Sequence, residues 1–249
     1  IRGFYRQNGF EINPSRINIP KPMERMENNK LQLRRAEIKK LLDVASSIRD
    51  KVIILLQYQS FQAVSEVCRL NYGQVQRGID EGADLIVVEM IRQKKRVKYL
   101  FVIGDEVIEM LKLYLRQRER DGEHLQFNSP LFVKEGRKKR TWERITPNLI
   151  EGMMKGLALK SGLVSEEQMA QADLNPCRPH SLRSSGMTVA KLSGMLEVAV
   201  EYMAGHKLDK TTNAYWQTRI EELRDLYAKH YQGLRVLKAG VDQEQVKTL

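Results

Sequence analysis

The chain has 249 residues, 42% hydrophobic and 29% charged, which is enough apolar material for one sizeable core and too much for a disordered polymer. Its 42 Lys and Arg against 31 Asp and Glu leave a formal net charge of +11, so a polyanion, either nucleic acid or an anionic membrane surface, is the natural partner. The longest apolar runs, around Val52 to Leu56 and Leu85 to Val88, are much too short to span a bilayer, and no basic start leads into an apolar signal core, which points to a cytoplasmic chain without membrane insertion.

Residues 1–10 resemble the end of a helix stopped at Asn8-Gly9, and Pro14, Pro20 and Pro22 make residues 13–23 an extended linker. The first residue is Ile1 and not methionine, so residues 1–30 are expected to be the end of a missing N-terminal domain and its linker. The compact domain is expected over 31–218, followed by a C-terminal helix and tail over 219–249. Ile38, Leu41, Leu42 and Ala45 recur at helical spacing within 34–45, and 52–58 continues as a more buried helix. Residues 83–91 and 98–103 are rich in β-branched and aromatic side chains and flank a basic tip at Arg92 to Arg96, the pattern of a β-hairpin. Helices are expected at 106–116, 148–160, 166–172, 181–192, 197–204, 211–217 and 220–234. The fold class is therefore mainly α with one small antiparallel sheet. Cys68 and Cys177 lack zinc-type spacing and are expected to be free thiols, with no metal and no cofactor.

Three features of the C-terminal half carry chemistry together: His180-Ser181-Leu182-Arg183, Gly205-His206, and Tyr215 nine residues beyond that histidine. Singly, each has a plain structural explanation as a surface histidine, a solvated arginine or a packing tyrosine. His180 and Arg183 are three apart at the start of a helix that Pro179 begins, where a guanidinium fork and an imidazole meet a phosphate. Gly205 fits a helix C′ position, leaving His206 at a turn and free to face a cleft.

This order resembles the tyrosine recombinase (phage integrase) family. Its signature runs His-x-x-Arg, Gly-His, then a nucleophilic Tyr at the same interval. The resemblance extends upstream to Tyr58 through Leu70, similar to the family's first motif, and to Gln93 through Leu100, similar to the hairpin that presents its catalytic lysine. The resemblance implies that Tyr215 attacks a DNA phosphodiester and forms a 3′-phosphotyrosine link. It further implies that Arg183 and His206 hold the phosphate, His180 assists proton transfer, and Lys94, or Lys95 one residue on, protonates the leaving 5′-oxygen. Glu66 sits where the family has an acidic residue bracing the histidine region, although a surface carboxylate on an amphipathic helix is nearly as good an explanation.

At one position the pattern breaks. Where the family has its first arginine, before the apolar-Ser-Glu sequence, this chain has Ala63. Gln62 carries no charge, and Arg69, two helical turns downstream, is expected to point elsewhere. Losing a cation of arginine-finger type costs roughly 10³–10⁵ in rate, so a slow or inactive enzyme is expected. An arginine replaced by alanine by design, which the intact flanking residues favour, and a natural member with altered chemistry both fit. A catalytically inactive DNA-binding derivative of the same fold is the alternative function, and a type IB topoisomerase or telomere resolvase would use related chemistry.

Basic residues gather at Arg34 to Lys40, Arg92 to Lys98, Arg137 to Arg140 and Arg178 to Arg183. Lys95, Arg96, Lys98, Arg137, Lys138, Lys139, Arg140 and Arg178 are accordingly expected to line a cleft for double-stranded DNA. By the resemblance, the working assembly would be a homotetramer on two duplexes. The tail helix, with Leu223, Leu226, Tyr227 and Leu234 on one stripe, is expected to dock either on a neighbouring protomer or on its own domain.

Overall fold

The structure, a computed structural model, describes residues 7–9, 31–92, 96–135, 142–172, 174–208 and 219–237. Most of the expected linker at 1–30, the helix at 211–217 and the end of the tail lie outside the described residues. In chain order the elements are α1 (Arg35–Val44), α2 (Ile48–Ser60), α3 (Val64–Arg69), α4 (Gly73–Asp80), β1 (Ile86–Arg92) and β2 (Val97–Ile103). Then come α5 (Asp105–Arg120), α6 (Pro147–Lys160), α7 (Glu166–Gln171), α8 (Pro179–Leu192), α9 (Glu197–Met203) and α10 (Ile220–His230), which tightens into a 3₁₀ turn at Tyr231–Leu234. The two strands form one antiparallel sheet, giving the mainly α architecture with a small sheet.

Helix α2 is the centre of the core. Every residue from Val52 to Ser60 is buried, because a helix that is apolar on nearly all sides has no face to give to water. It packs against α5 on one side and α8 on another. Where α2 meets α8 the backbones approach so closely that a Cβ at Gly186 would overlap the Tyr58 carbonyl. Phe61 ends α2 in the left-handed region at φ 60° and ψ 27°. That conformation costs a side-chain-bearing residue about 1–2 kcal/mol, and complete burial of the ring offsets it.

Strand β1 alternates, whereas β2 ends in three successive buried residues, Phe101, Val102 and Ile103. Ile86, Val88 and Met90 face the core and pair across the strands with Ile103, Phe101 and Tyr99, while Glu89 and Ile91 are exposed. Helix α4 lacks a sequence signal strong enough to stand out: it is two turns long and carries Gly73 and Gly78, the latter pressed against Ile86.

Residues 220–237 close onto this chain's own core. Tyr227 Oη donates to the Gln59 carbonyl and Tyr231 Oη to Gln59 Oε1, both at 3.1 Å. Gln59 Nε2 donates to Glu106 Oε2 at 2.7 Å, and the Glu106 carboxylate also accepts from the backbone N–H groups of Val236 and Leu237 at 2.9 and 2.8 Å. A buried carboxylate is tolerable only when its oxygens are this well satisfied. Leu223, Tyr227 and Leu234 are fully buried, so the apolar stripe of the tail lies on its own domain in this structure.

Among the described residues no helix is long and apolar enough to cross a membrane. Cys68 and Cys177 are free, buried thiols, and burial pushes them up to about 11 and about 12 respectively, so both stay protonated at neutral pH.

Candidate active site

The turn after α9 is the hinge of the site. Helix α9 ends with Gly205 at φ +65°, where Gly205 N–H donates to Tyr202 O at 2.8 Å and His206 N–H to Glu201 O at 3.0 Å. This is the Schellman arrangement, which needs a residue free of Cβ hindrance at C′. A Cβ at Gly205 would also press on the Tyr99 ring. The carbonyls and the imidazole of residues 204–206 are thereby presented to α8.

Arg183 meets them. It lies on α8, only 3% exposed, and its Nη2 donates to Ala204 O at 2.7 Å and to His206 Nε2 at 2.8 Å. Because a guanidinium only donates, Nε2 must accept, which places the imidazole proton on Nδ1, and Nδ1 in turn is hydrogen-bonded to the Glu201 carboxylate. Burial, then the charge of Arg92, pushes Arg183 down to about 10, and the carboxylates of Glu66 and Glu201 pull the other way. Arg183 nonetheless stays charged at neutral pH.

His206 is held below its ordinary value, first by burial, then with Glu201 raising it and Arg183 and Arg92 lowering it. The neutral ring therefore dominates at pH 7 in the absence of an anion. A bound phosphate would reverse the sign, since it screens the two guanidinia. An NMR titration is expected to place the His206 midpoint below about 6.5 in the free protein and higher in inorganic phosphate. Because the folded state then binds protons less readily than the unfolded chain, this histidine contributes stability that is fully present above about pH 6.5 and is lost as the pH falls from there through the lower value set by the fold. Glu201, whose pKa is also lowered in the fold, adds acid lability in the same direction at lower pH.

The segment of Ala63 is tied to the same turn. Ala63 is the half-buried N-cap residue of α3, and its neighbour Gln62 is buried with Nε2 donating to Met203 O at 3.0 Å. Gln62 Oε1 accepts from Tyr99 Oη at 2.7 Å, so its amide is committed inward and does not face a ligand. Glu66, buried one turn into α3, accepts from Ser65 Oγ at 2.7 Å. The carboxylate hydrogen-bonded to His206 is Glu201, a residue that sequence reasoning missed; its signal was its place five residues ahead of the histidine, one turn before a helix-ending glycine.

Arg69 Nη1 donates to the carbonyl of the exposed Ile91, near the end of β1, at 3.2 Å. His180 is exposed in the first turn of α8, one turn ahead of Arg183, and Arg178 is the half-buried N-cap residue of that helix. Arg96 is exposed at φ 49° next to the hairpin tip, and Lys98, on the outer face of β2, pairs with Glu89 at 2.8 Å. Tyr215, Lys94, Lys95, Arg137, Lys138, Lys139 and Arg140 lie outside the described residues. Among the described residues no group of His, Cys, Asp and Glu is placed to hold a metal ion.

With this geometry in place, residues 32–222 match the sequence profile of the phage integrase family. The chain belongs to that family. Among relatives, a tyrosine recombinase XerA of Thermococcus onnurineus is 27% identical over 232 residues, covering 92% of this chain and 72% of the relative. XerA of Thermococcus kodakarensis is 28% identical over 232 residues, with the same coverage. Among solved structures, that of XerA recombinase superposes with a TM-score of 0.53 at 24% identity, covering 91% of this chain and 71% of the other. The Tn1549 transposon integrase in complex with transposon right end DNA gives 0.57 at 18% identity, with 89% and 73% covered. At such identities the structural likeness speaks for the fold of a tyrosine recombinase catalytic domain, in line with the resemblance drawn from the motifs.

Proposed function

We propose that the chain is a site-specific DNA recombinase of this family, cleaving and rejoining strands through a 3′-phosphotyrosine intermediate. The single observation that carries the reading is the buried Arg183, joined to His206 across the turn after α9 and hydrogen-bonded to no carboxylate among the described residues. A buried cation left without a carboxylate is organised for an anion that arrives from outside. The DNA-bound state of the Tn1549 relative supports double-stranded DNA as that partner.

In the reaction, Tyr215 Oη attacks the scissile phosphorus and gives up its proton, with His180 assisting. The P–O5′ bond breaks, and Lys94, with Lys95 as the alternative, supplies the proton to the departing 5′-oxygen. One phosphodiester is exchanged for another, so no external energy source enters, and a 5′-hydroxyl from another strand reverses the step. Arg183 and His206 stabilise the charge of the transition state on the non-bridging oxygens. The basic positions Arg96, Lys98, Arg137, Lys138, Lys139, Arg140 and Arg178 would contact the duplex backbone, and four protomers on two duplexes would form the assembly. Ala63 slows the reaction by leaving the first arginine position empty.

That same alanine favours a second reading, a DNA-binding derivative without catalysis. A pool of nicked duplexes of randomised core sequence separates the two. The recombinase reading expects a covalent protein–DNA adduct from the chain or its Ala63→Arg variant, and none from Tyr215→Phe. Tight binding with no adduct from either chain would establish the non-catalytic reading instead.

A further inference from the structure

A second arginine faces the same turn, and neither the motifs nor the family signature singles it out. Arg92 is the last residue of β1, paired with Val97. By alternation it continues the inward row of Ile86, Val88 and Met90, all buried. A charge at the end of an apolar row is costly to place unless something there uses it. Its Nη1 donates to Gly205 O at 2.8 Å, one residue along from the Ala204 carbonyl that Arg183 holds. Two guanidinia thus grip consecutive carbonyls of one turn, with His206 next in line.

Their charges are felt by one another. Arg92 disfavours the charged form of both Arg183 and His206. Among the described residues no ion pair reaches either arginine, and the remaining N–H groups of both forks donate to no protein acceptor. The contrast with Arg118 is instructive. Arg118 is as buried as Arg183, whereas Arg92 is half-buried, and Glu123 neutralises Arg118 through two hydrogen bonds of 2.6 Å. Arg183, buried to the same degree, has no such carboxylate among the described residues, and neither has the half-buried Arg92 beside it.

We propose that Arg92 is a second phosphate-binding guanidinium of the active site, sharing the scissile phosphate with Arg183 and standing in part for the arginine absent at position 63. Gln62 and Tyr99 connect the two places: Tyr99 pairs with Met90 beside Arg92, and its hydroxyl binds Gln62, the neighbour of Ala63. The assignment rests on the recombinase reading for its phosphate to be that of DNA, and the test keeps the two apart.

The first arm uses inorganic phosphate with the whole chain and reads the rise in thermal midpoint with phosphate concentration, which follows the affinity by linkage. The native chain is expected to bind, Arg92→Lys to bind several-fold more weakly because the charge stays and the fork is lost, and Arg92→Gln at least about tenfold more weakly. The His206 titration without phosphate reports whether the turn is intact in each variant: relief from the Arg92 charge alone raises its midpoint, whereas a collapsed turn would uncouple it from Glu201. Should Arg92→Gln fail to fold, Arg92→Lys carries the comparison. Equal phosphate affinity in native and variant chains, or no binding by the native chain, overturns the proposal.

The second arm measures adduct formation. Arg92→Gln is expected to slow it at least about a hundredfold, and adding Ala63→Arg to that variant to restore a larger factor than Ala63→Arg gives the native chain. Equal factors in the two backgrounds would mean the residues do not share a phosphate, and would sink the substitution. If no chain forms an adduct while phosphate binding still depends on Arg92, the anion site stands and the recombinase reading falls.

Discussion

Arg183→Gln is expected to reduce the rate of covalent adduct formation by about 10³–10⁵, the range attached to a guanidinium that stabilises a phosphoryl transition state. The loss should come with little change in fold stability, and that pairing is the informative part. Arg183 is 3% exposed, its charged form is disfavoured by burial and by Arg92, and its described partners are a carbonyl and an imidazole instead of a carboxylate. Removing it deletes two hydrogen bonds, worth about 1 kcal/mol each, and also relieves an uncompensated buried charge beside a like one. These effects oppose each other, so urea unfolding of the variant should stay within about 1 kcal/mol of the native chain. Arg183→Lys preserves the charge without the fork and should recover only a small part of the rate. A variant that unfolds easily while keeping its residual activity per folded molecule would show Arg183 to be a structural residue, and the proposed phosphate site would lose its centre.

Gly186→Ala is expected to be the most damaging single methyl group in the chain. An added Cβ there would overlap the carbonyl oxygen and carbon of Tyr58 and crowd the Phe61 ring, so α8 would have to move away from α2. A flexible side chain can yield to an extra methyl; a helix backbone carbonyl in the middle of the core cannot. Overpacking of this kind costs about 3 kcal/mol or more, which for a chain of this size lowers the thermal midpoint by roughly 10 °C. Because α8 carries Arg183, the same shift would draw its guanidinium away from the 204–206 turn and depress adduct formation even at temperatures where the variant is folded. Gly156→Ala is the control: no heavy atom lies within contact distance of a Cβ there, and alanine suits a helix interior better than glycine, so the midpoint should hold or rise. A Gly186→Ala chain as stable as the native one would mean that the two helices are not in van der Waals contact.

Several features were legible from one dimension. The 3.6-residue recurrence of Ile38, Leu41 and Leu42 gave α1, and the continuous apolar stretch after Val52 gave the buried central helix. Alternating β-branched and aromatic residues on either side of a basic tip gave the hairpin, and Gly205 gave the end of α9, because each of these signals is a local property of the backbone and its nearest side chains. The order His180, Arg183, His206, Tyr215 carried the resemblance to the family, and the profile match over residues 32–222 shows that family. Helix α4 escaped notice for a matching local reason, being short and interrupted by glycine.

What tertiary packing alone decided are the meetings between distant segments. Arg92 and Arg183 are 91 positions apart and come to hold neighbouring carbonyls only because the end of β1 and the second turn of α8 converge on one turn. Nothing in the local sequence around Arg92 distinguishes it from the other cations of a basic hairpin tip. Likewise Glu201, rather than Glu66, is the carboxylate bonded to His206, and Gln62 is tied to Tyr99 and Met203 instead of facing a ligand. The sequence determined which helices and strands form and which chemistry they bring; packing determined which charged groups share a site, because the helix and strand periods constrain only residues a few positions apart.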